Sequence, residues 1–389
     1  MCQTRLQFER HTRDIGGVIL YRLWAVALAF VFTSQPAFAG SITSRTEESL
    51  DRSEALDAVA ETPFGFSEGS FVVAPIPLRN PMFGTGLILG GGYLFQDDEK
   101  SNTSFFGLAG LKTSNGTNGY GAGGRLSFNS NRWNTTFFVG EVDAFYDAYP
   151  AGFPVPINQQ GKLVLVSGSY GFTENISAGL EFSRLDTQIT LDGTGALPPG
   201  LIPDADLNLM GVNLIFAMDY RDDSLYPTEG SHLDVSIGQG QTLDGPWRDY
   251  EKAVVTYDYF ISGIGPGVIA TRLAVCGASD DTPFFEKCSI GGTDMFRGYN
   301  AFETLGDRLL SAQVEYRGQL GGRFGYAVFG GVGNTADSFS ELGDTQIKYA
   351  AGFGGRFRLS KKFPMDLALD LVRNQKGENF TYIYVGQRF

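Results

Sequence analysis

The chain reads as all-β, a transmembrane antiparallel β-barrel of about sixteen strands, and three observations predict it. The first is composition: 52 Gly, 32 Phe and 17 Tyr against 2 His in 389 residues, with mean hydropathy near zero, fit neither a helical enzyme nor a disordered tail. The second is that no apolar run of 18 or more residues follows the N-terminus, which argues against a helical membrane protein. The third is period. From about Gly69 onward apolar and polar residues alternate in segments of about ten, the length a tilted strand needs to cross a bilayer.

Residues 1–39 stand apart as a secretory signal peptide. Arg22 supplies a basic flank, 23–32 an apolar core, and Ala37-Phe38-Ala39 a small-x-small cleavage site before Gly40. A stop-transfer anchor is the alternative, and the short core argues against it. Residues 40–68 are acidic, with a weak helical pattern at 49–59, and read as a short periplasmic lead because so small a piece buries no core alone. The barrel then occupies 69–389. Without residues 1–39 the chain keeps 26 basic and 41 acidic residues, a net charge of −15, which disfavours nucleic acid as a partner.

Strands are expected at 71–77, 84–95, 102–113, 119–129, 133–146, 161–173, 175–191, 207–220, 231–240, 249–263, 267–276, 308–318, 323–334, 346–359, 365–373 and 380–389. An even count of short antiparallel segments is what an outer-membrane barrel requires. Breaks such as "TSNGTNG", "NSNR" and "DGTG" supply turn chemistry between them. Alternation assigns faces. Leu310, Ala312, Val314 and Tyr316 oppose Ser311, Gln313, Glu315 and Arg317; Leu367, Leu369 and Leu371 oppose Asp366, Ala368 and Asp370; Tyr349, Ala351 and Phe353 share a face opposite Gly352, Gly354, Arg356 and Arg358. A charge at the lipid midplane costs about 2–4 kcal/mol, so the charged sets belong to the lumen.

Cys276 and Cys288 flank "GASDDTPFFEK" and either staple the base of a loop or remain two thiols; with no CxxC or nearby His they do not suggest a metal site. No cofactor motif stands out: "GTGLILGGG" lacks the Lys and Ser/Thr of a phosphate loop and reads as glycine packing in a barrel wall. The chain ends "FTYIYVGQRF", where Gly386 and Phe389 resemble the terminal signal by which outer-membrane barrels are recognised for assembly.

Three ordered motifs carry a family resemblance. "FRGY" (Phe296, Arg297, Gly298, Tyr299) resembles the arginine-glycine-aromatic tip of the long sixth loop of the BamA/TamA-like superfamily of outer-membrane assembly and translocation barrels. "DYRDDSLYPTEGS" is similar to that family's inter-strand segment, with Asp219, Arg221, Asp222, Pro227 and Gly230 at its marked positions. "VEYR", "GFGGRFRLSKKFP" and "YVGQRF" follow in the family order. The resemblance implies that the loop folds into the lumen and that Arg297 latches it to an acid on the inner wall. A guanidinium's rigid fork suits that bidentate role, and Gly291, Gly292 and Gly298 permit the turns. The family's usual aspartate is Gly331 here, within "FGGVG", so face parity nominates Glu315, Asp366 or Asp370 instead, Glu315 first. Asp222 and Asp223 read as ordinary turn residues, while Pro227 and Gly230 set a tight connection.

The resemblance implies insertion or translocation of proteins at the outer membrane, without covalent chemistry. The partners it implies are outer-membrane lipids, unfolded or secreted protein clients and a separate periplasmic partner, since 40–68 is too short for a POTRA module. A solute channel or partner-dependent pore is a second reading of a polar lumen. A hydrolase built on Ser231, His232 and Asp234 is remote, because adjacent strand residues point to opposite faces.

Overall fold

A computed structural model describes residues 65–66 and 69–389, apart from 99–100, 150–151, 192–204, 224–225, 245–248, 265–266, 292–294 and 360–365. The expected signal peptide lies outside the described residues, as does almost all of the 40–68 lead.

Sixteen strands close into one antiparallel barrel in the order β1-β18-β17-β16-β15-β14-β11-β10-β9-β8-β7-β6-β5-β4-β3-β2. They are β1 (Ser70–Asn80), β2 (Gly84–Phe95), β3 (Ser104–Thr113), β4 (Asn118–Phe128), β5 (Trp133–Ala148), β6 (Val155–Gly171), β7 (Ile176–Leu191), β8 (Ala205–Asp219), β9 (Gly230–Asp244), β10 (Tyr250–Ile264), β11 (Gly267–Ala278), β14 (Arg308–Gly321), β15 (Phe324–Ala336), β16 (Lys348–Arg358), β17 (Asp366–Asn374) and β18 (Asn379–Val385). Two further strands, β12 (Cys288–Ile290) and β13 (Thr304–Gly306), form a small sheet inside the β11–β14 connection.

The alternation read from sequence is the alternation of the wall. Leu310, Val314, Phe353 and Leu369 are exposed to the outside, while Glu315, Arg317, Arg356, Asp366 and Asp370 are buried inside. Each burial fits the cost of placing charge against lipid. "GTGLILGGG" is β2, a wall strand whose glycines let neighbours approach: a Cβ on Gly92 would stand 2.7 Å from the Phe106 carbonyl oxygen.

The structure corrects several strand limits. β6 starts at Val155 rather than at 161, because "PINQQ" continues the ladder on β5 up to Val155↔Ala148 despite its proline near the end. At the other end, β18 stops at Val385 rather than running to 389. The reason lies in β1, "SFVVAPIPLRN".

β1 is registered on β2 along its whole length, from Ser70↔Leu94 to Asn80↔Gly84. A proline fits such a strand when its nitrogen, which has no hydrogen to give, faces away from that partner. Pro75 and Pro77 therefore face β18, the side on which Arg79 is registered with Ile383. Continuing that register would set Pro77 opposite Val385 and Pro75 opposite Gln387, where no N–H awaits them. The ladder gives out there, and Gly386, at φ 93°, turns the chain inward. Its N–H donates to the Asp366 carbonyl at 2.8 Å.

Candidate functional site

The β11–β14 connection, residues 279–307, folds into the barrel. At its base Cys276 of β11 is disulfide-bonded to Cys288 of β12, so the staple is the alternative the structure takes over two free thiols. Beyond the β12–β13 sheet, Phe296, Arg297 and Tyr299 are all buried. Phe302, Phe285 and Ala301 pack with Tyr146, Val155, Ile157, Ile189, Leu207, Leu209 and Tyr250, so the loop fills the lumen toward β5–β10.

Arg297 sits at the centre. Its Nη2 donates to Glu315 Oε2 and its Nη1 to Asp370 Oδ2, both at 2.8 Å, and its guanidinium lies 3.7 Å from the centre of the Phe329 ring. One fork thus spans two carboxylates on two strands, β14 and β17, which a lysine ammonium could not reproduce. Each acid serves further donors. Glu315 Oε1 accepts from Arg317 Nε at 2.9 Å; Asp370 accepts from Arg356 Nη1 at 2.6 Å and from the Tyr384 hydroxyl at 2.8 Å. The network joins three arginines to two carboxylates, so every buried charge in it has an opposite partner, with one positive charge in excess.

The flanking residues fit tightly. Gly298, at φ 100°, donates its N–H to the Tyr382 hydroxyl at 2.9 Å, and a Cβ there would stand 2.7 Å from the Ala350 Cβ. The Tyr299 hydroxyl donates to the Tyr349 carbonyl at 3.0 Å, and the Met295 carbonyl accepts from Ser311 Oγ at 2.7 Å and Gln313 Nε2 at 3.1 Å. Gly291 also has positive φ, 101°, whereas Gly292 lies outside the described residues. At Gly331, where the resemblance expects an aspartate, a Cβ would stand 3.0 Å from the Phe296 ring: the loop's phenylalanine occupies that space.

Asp366, the third nominated acid, does not reach Arg297. It accepts from Arg358 Nε at 2.5 Å and from Gln387 Nε2 at 2.9 Å. It lies four residues along β17 from Asp370, about 13 Å at the rise of a strand, so one guanidinium cannot serve both.

The inter-strand segment after β8 is more ordered than its reading as simple turn polarity. Asp219 accepts from Arg221 Nε at 2.9 Å and Nη2 at 2.6 Å. Asp222 accepts from the Thr228 hydroxyl at 2.5 Å and from the backbone N–H of Thr228 at 2.8 Å and Glu229 at 3.1 Å, organising the turn around Pro227. Gly230, at φ 103°, has no room for a Cβ, which would fall 2.0 Å from the Tyr220 carbonyl oxygen. His232 Nδ1 lies 3.1 Å from Asp234 Oδ2, on the shared face that two-residue spacing gives. Among the described residues no group of three or more His, Cys, Asp and Glu is placed to hold a metal ion.

Sequence reasoning placed Arg356 on the lumenal face without linking it to Arg297's acids, and it missed Tyr382 and Tyr384 as members of this site. Tyr382 and Tyr384 share a face of β18, and only the register that sets Tyr382 opposite Asp370 places that face in the lumen beside Arg356. It also missed the short β12–β13 sheet, whose three-residue strands carry no periodic signal.

A closed sixteen-strand barrel with apolar residues outside, buried ion pairs inside and a loop packed in its lumen defines an outer-membrane β-barrel. The chain belongs to the Omp85 superfamily, whose domain model matches residues 92–389. No curated protein matches it. Among solved structures it is similar to BamA from Haemophilus ducreyi lacking POTRA domains 1-3, at 14% identity and a TM-score of 0.57, over 89% of this chain and 78% of that one. It is also similar to CdiB from Acinetobacter baumannii (13% identity, TM-score 0.54, 82% of this chain, 59% of that one) and to CdiB from Escherichia coli (11%, 0.54, 85% and 69%). At such identities the likeness is one of fold.

Proposed function

We propose that this barrel assists the insertion or translocation of protein chains at the outer membrane, acting through the seam between β1 and β18 and without covalent chemistry. The observation that carries the reading is the seam itself. Pairing between β1 and β18 is registered at Arg79↔Ile383, whereas β1 and β2 are in register from end to end. Pro75 and Pro77 remove two donors from the β1 edge, so separating the seam sacrifices few hydrogen bonds. A partly unpaired edge beside lipid is where an entering strand finds backbone partners.

The Arg297 network holds the loop in the lumen during this action, as a latch, and the loop's burial weighs against a standing solute channel. Protein clients, outer-membrane lipids and a separate periplasmic partner that delivers clients complete the proposal, with export by the 1–39 signal peptide and Gly386 and Phe389 as the barrel's own assembly signal.

The test is to cross-link the seam. In liposomes, wild-type protein is expected to accelerate folding of an unfolded outer-membrane client several-fold. Oxidised Arg79→Cys/Ile383→Cys is expected to lose that acceleration and to regain it on reduction, with reduced wild type as the control for the native disulfide. Equal acceleration by the cross-linked barrel would overturn the seam mechanism.

A further inference from the structure

Past Gly386 the chain runs through Gln387, Arg388 and Phe389 inside the barrel. Gln387 donates to Asp366 at 2.9 Å, and the Arg388 guanidinium lies 4.5 Å from the centre of the Tyr384 ring and 5.0 Å from that of Tyr382, both lumenal residues of β18. Phe389 is buried against Phe260 and Ala270, on the inner faces of β10 and β11. Three guanidinium groups surround its ring, with centroid distances of 5.1 Å for Arg272, 5.7 Å for Arg297 and 5.9 Å for Arg317. Arg317 Nη2 also donates to the Phe389 main-chain oxygen, and its Nη1, buried, has no hydrogen-bond partner among the described residues.

This is a built binding site for an aromatic side chain. Its floor is apolar, and its rim is positive, which suits the negative face of a ring. Nor are the arginines free to leave: Arg272 is held by both oxygens of Asp258, at 2.7 and 2.6 Å, and Arg317 by Glu315 at 2.9 Å.

We infer that this cage is an aromatic-binding site with Phe389 as its tethered internal ligand, and that it couples the seam to the loop latch. Glu315 is the joint. One of its oxygens accepts from Arg297 of the loop and the other from Arg317, which holds the tail. Occupation of the cage keeps residues 386–389 out of the wall beside β1, where, in the continued register, Pro75 would offer Gln387 no N–H. Loss of the cage frees the tail, and loss of Glu315 frees tail and loop together. The inference concerns the resting barrel and stands whether or not the barrel handles protein clients.

The experiment needs no client. A nitroxide spin label at Gln387→Cys, a partly exposed position, reports tail motion in the full barrel in liposomes, each variant being checked as folded by its heat-dependent gel mobility. The wild-type background is expected to give an immobilised spectrum. Phe389→Ala should shorten the rotational correlation time at least threefold, while Phe389→Tyr should keep the label immobilised. Glu315→Gln, or Arg297→Lys should the former not fold, should mobilise the label as well. A label already mobile without further change would show that the tail is not held in the lumen. A label equally immobile in Phe389→Ala would show that the ring does not hold it. Loop release with an immobile tail in the Glu315 or Arg297 variant would refute the coupling.

Discussion

Replacing Arg297 by alanine removes the loop side chain that bridges Glu315 of β14 and Asp370 of β17. Arg297 is 3% exposed, so both of its ion pairs operate away from water. Breaking a buried pair by deleting one partner typically costs about 3–5 kcal/mol, because it strands a buried charge. Here the stranding is partial, since Glu315 keeps Arg317, and Asp370 keeps Arg356 and Tyr384. That places the ion-pair loss near the lower end, about 3 kcal/mol, and the lost contact with the Phe329 ring adds about 1 kcal/mol. A cost of about 3–4 kcal/mol corresponds to a change of a few hundred-fold in the equilibrium between loop held and loop released. Hydrogen exchange reads this equilibrium directly. The amides of Gly298 and Tyr299 should exchange at least a hundredfold faster in Arg297→Ala, with strand amides of β5–β8 unchanged. Arg297→Lys should fall between, because a point charge satisfies one carboxylate at a time. Protection of Gly298 and Tyr299 within threefold of wild type in a folded Arg297→Ala barrel would refute the latch.

Two further perturbations test the surroundings. Gly298→Ala puts a methyl 2.7 Å from the Ala350 Cβ and 2.9 Å from Val372 Cγ1, at a φ of 100° that L-residues rarely adopt, so it should release the loop by about 2–3 kcal/mol, read by the same exchange assay; unchanged protection would contradict the close packing. At the turn after β8, partial burial acts to raise the Asp222 carboxyl, but hydrogen bonds from the Thr228 hydroxyl and the backbone of Glu229 and Thr228 outweigh it and hold the group below its usual range. A depressed carboxylate stabilises the fold fully above its unfolded value of ~3.9, and that contribution is lost as pH falls through the folded value. The turn is open to solvent, so the contribution is below about 1 kcal/mol. Exchange of the Thr228 and Glu229 amides should rise on acidification below pH ~4 in wild type and be fast at every pH in Asp222→Ala; a turn equally protected in both would sink the argument.

The barrel was legible because it is written in short-range terms. Alternation follows from the two-residue period of a strand, and the penalty for charge in lipid makes that period visible as apolar against polar residues. Hence Glu315, Asp370 and Arg356 could be assigned to the lumen from their neighbours alone. The tight turn at Gly230 and the closeness of Cys276 to Cys288 were equally local. What no local pattern contains is depth along the barrel. Asp366 and Asp370 have the same parity, yet one meets Arg358 and the other Arg297, because reach depends on the stagger between strands far apart in sequence. Convergence is likewise a property of closure: Arg297, Glu315 and Asp370 are separated by 18 and 73 positions along the chain and meet only when the loop enters a closed wall.

The tail shows the same division within ten residues. The sequence holds every part of the cause, two prolines on β1 and a glycine at 386, but read alone "FTYIYVGQRF" is a strand to its end. Only the pairing of the first strand with the last, continued, would bring the prolines opposite Val385 and Gln387, where they offer those residues' carbonyls no N–H. By itself, then, the sequence determined the strands, their faces and the chemistry available to the lumen. The tertiary structure decided which charges meet, where the last strand ends and what fills the arginine cage, because hydrogen bonds and ion pairs depend on distances that closure of the barrel alone sets.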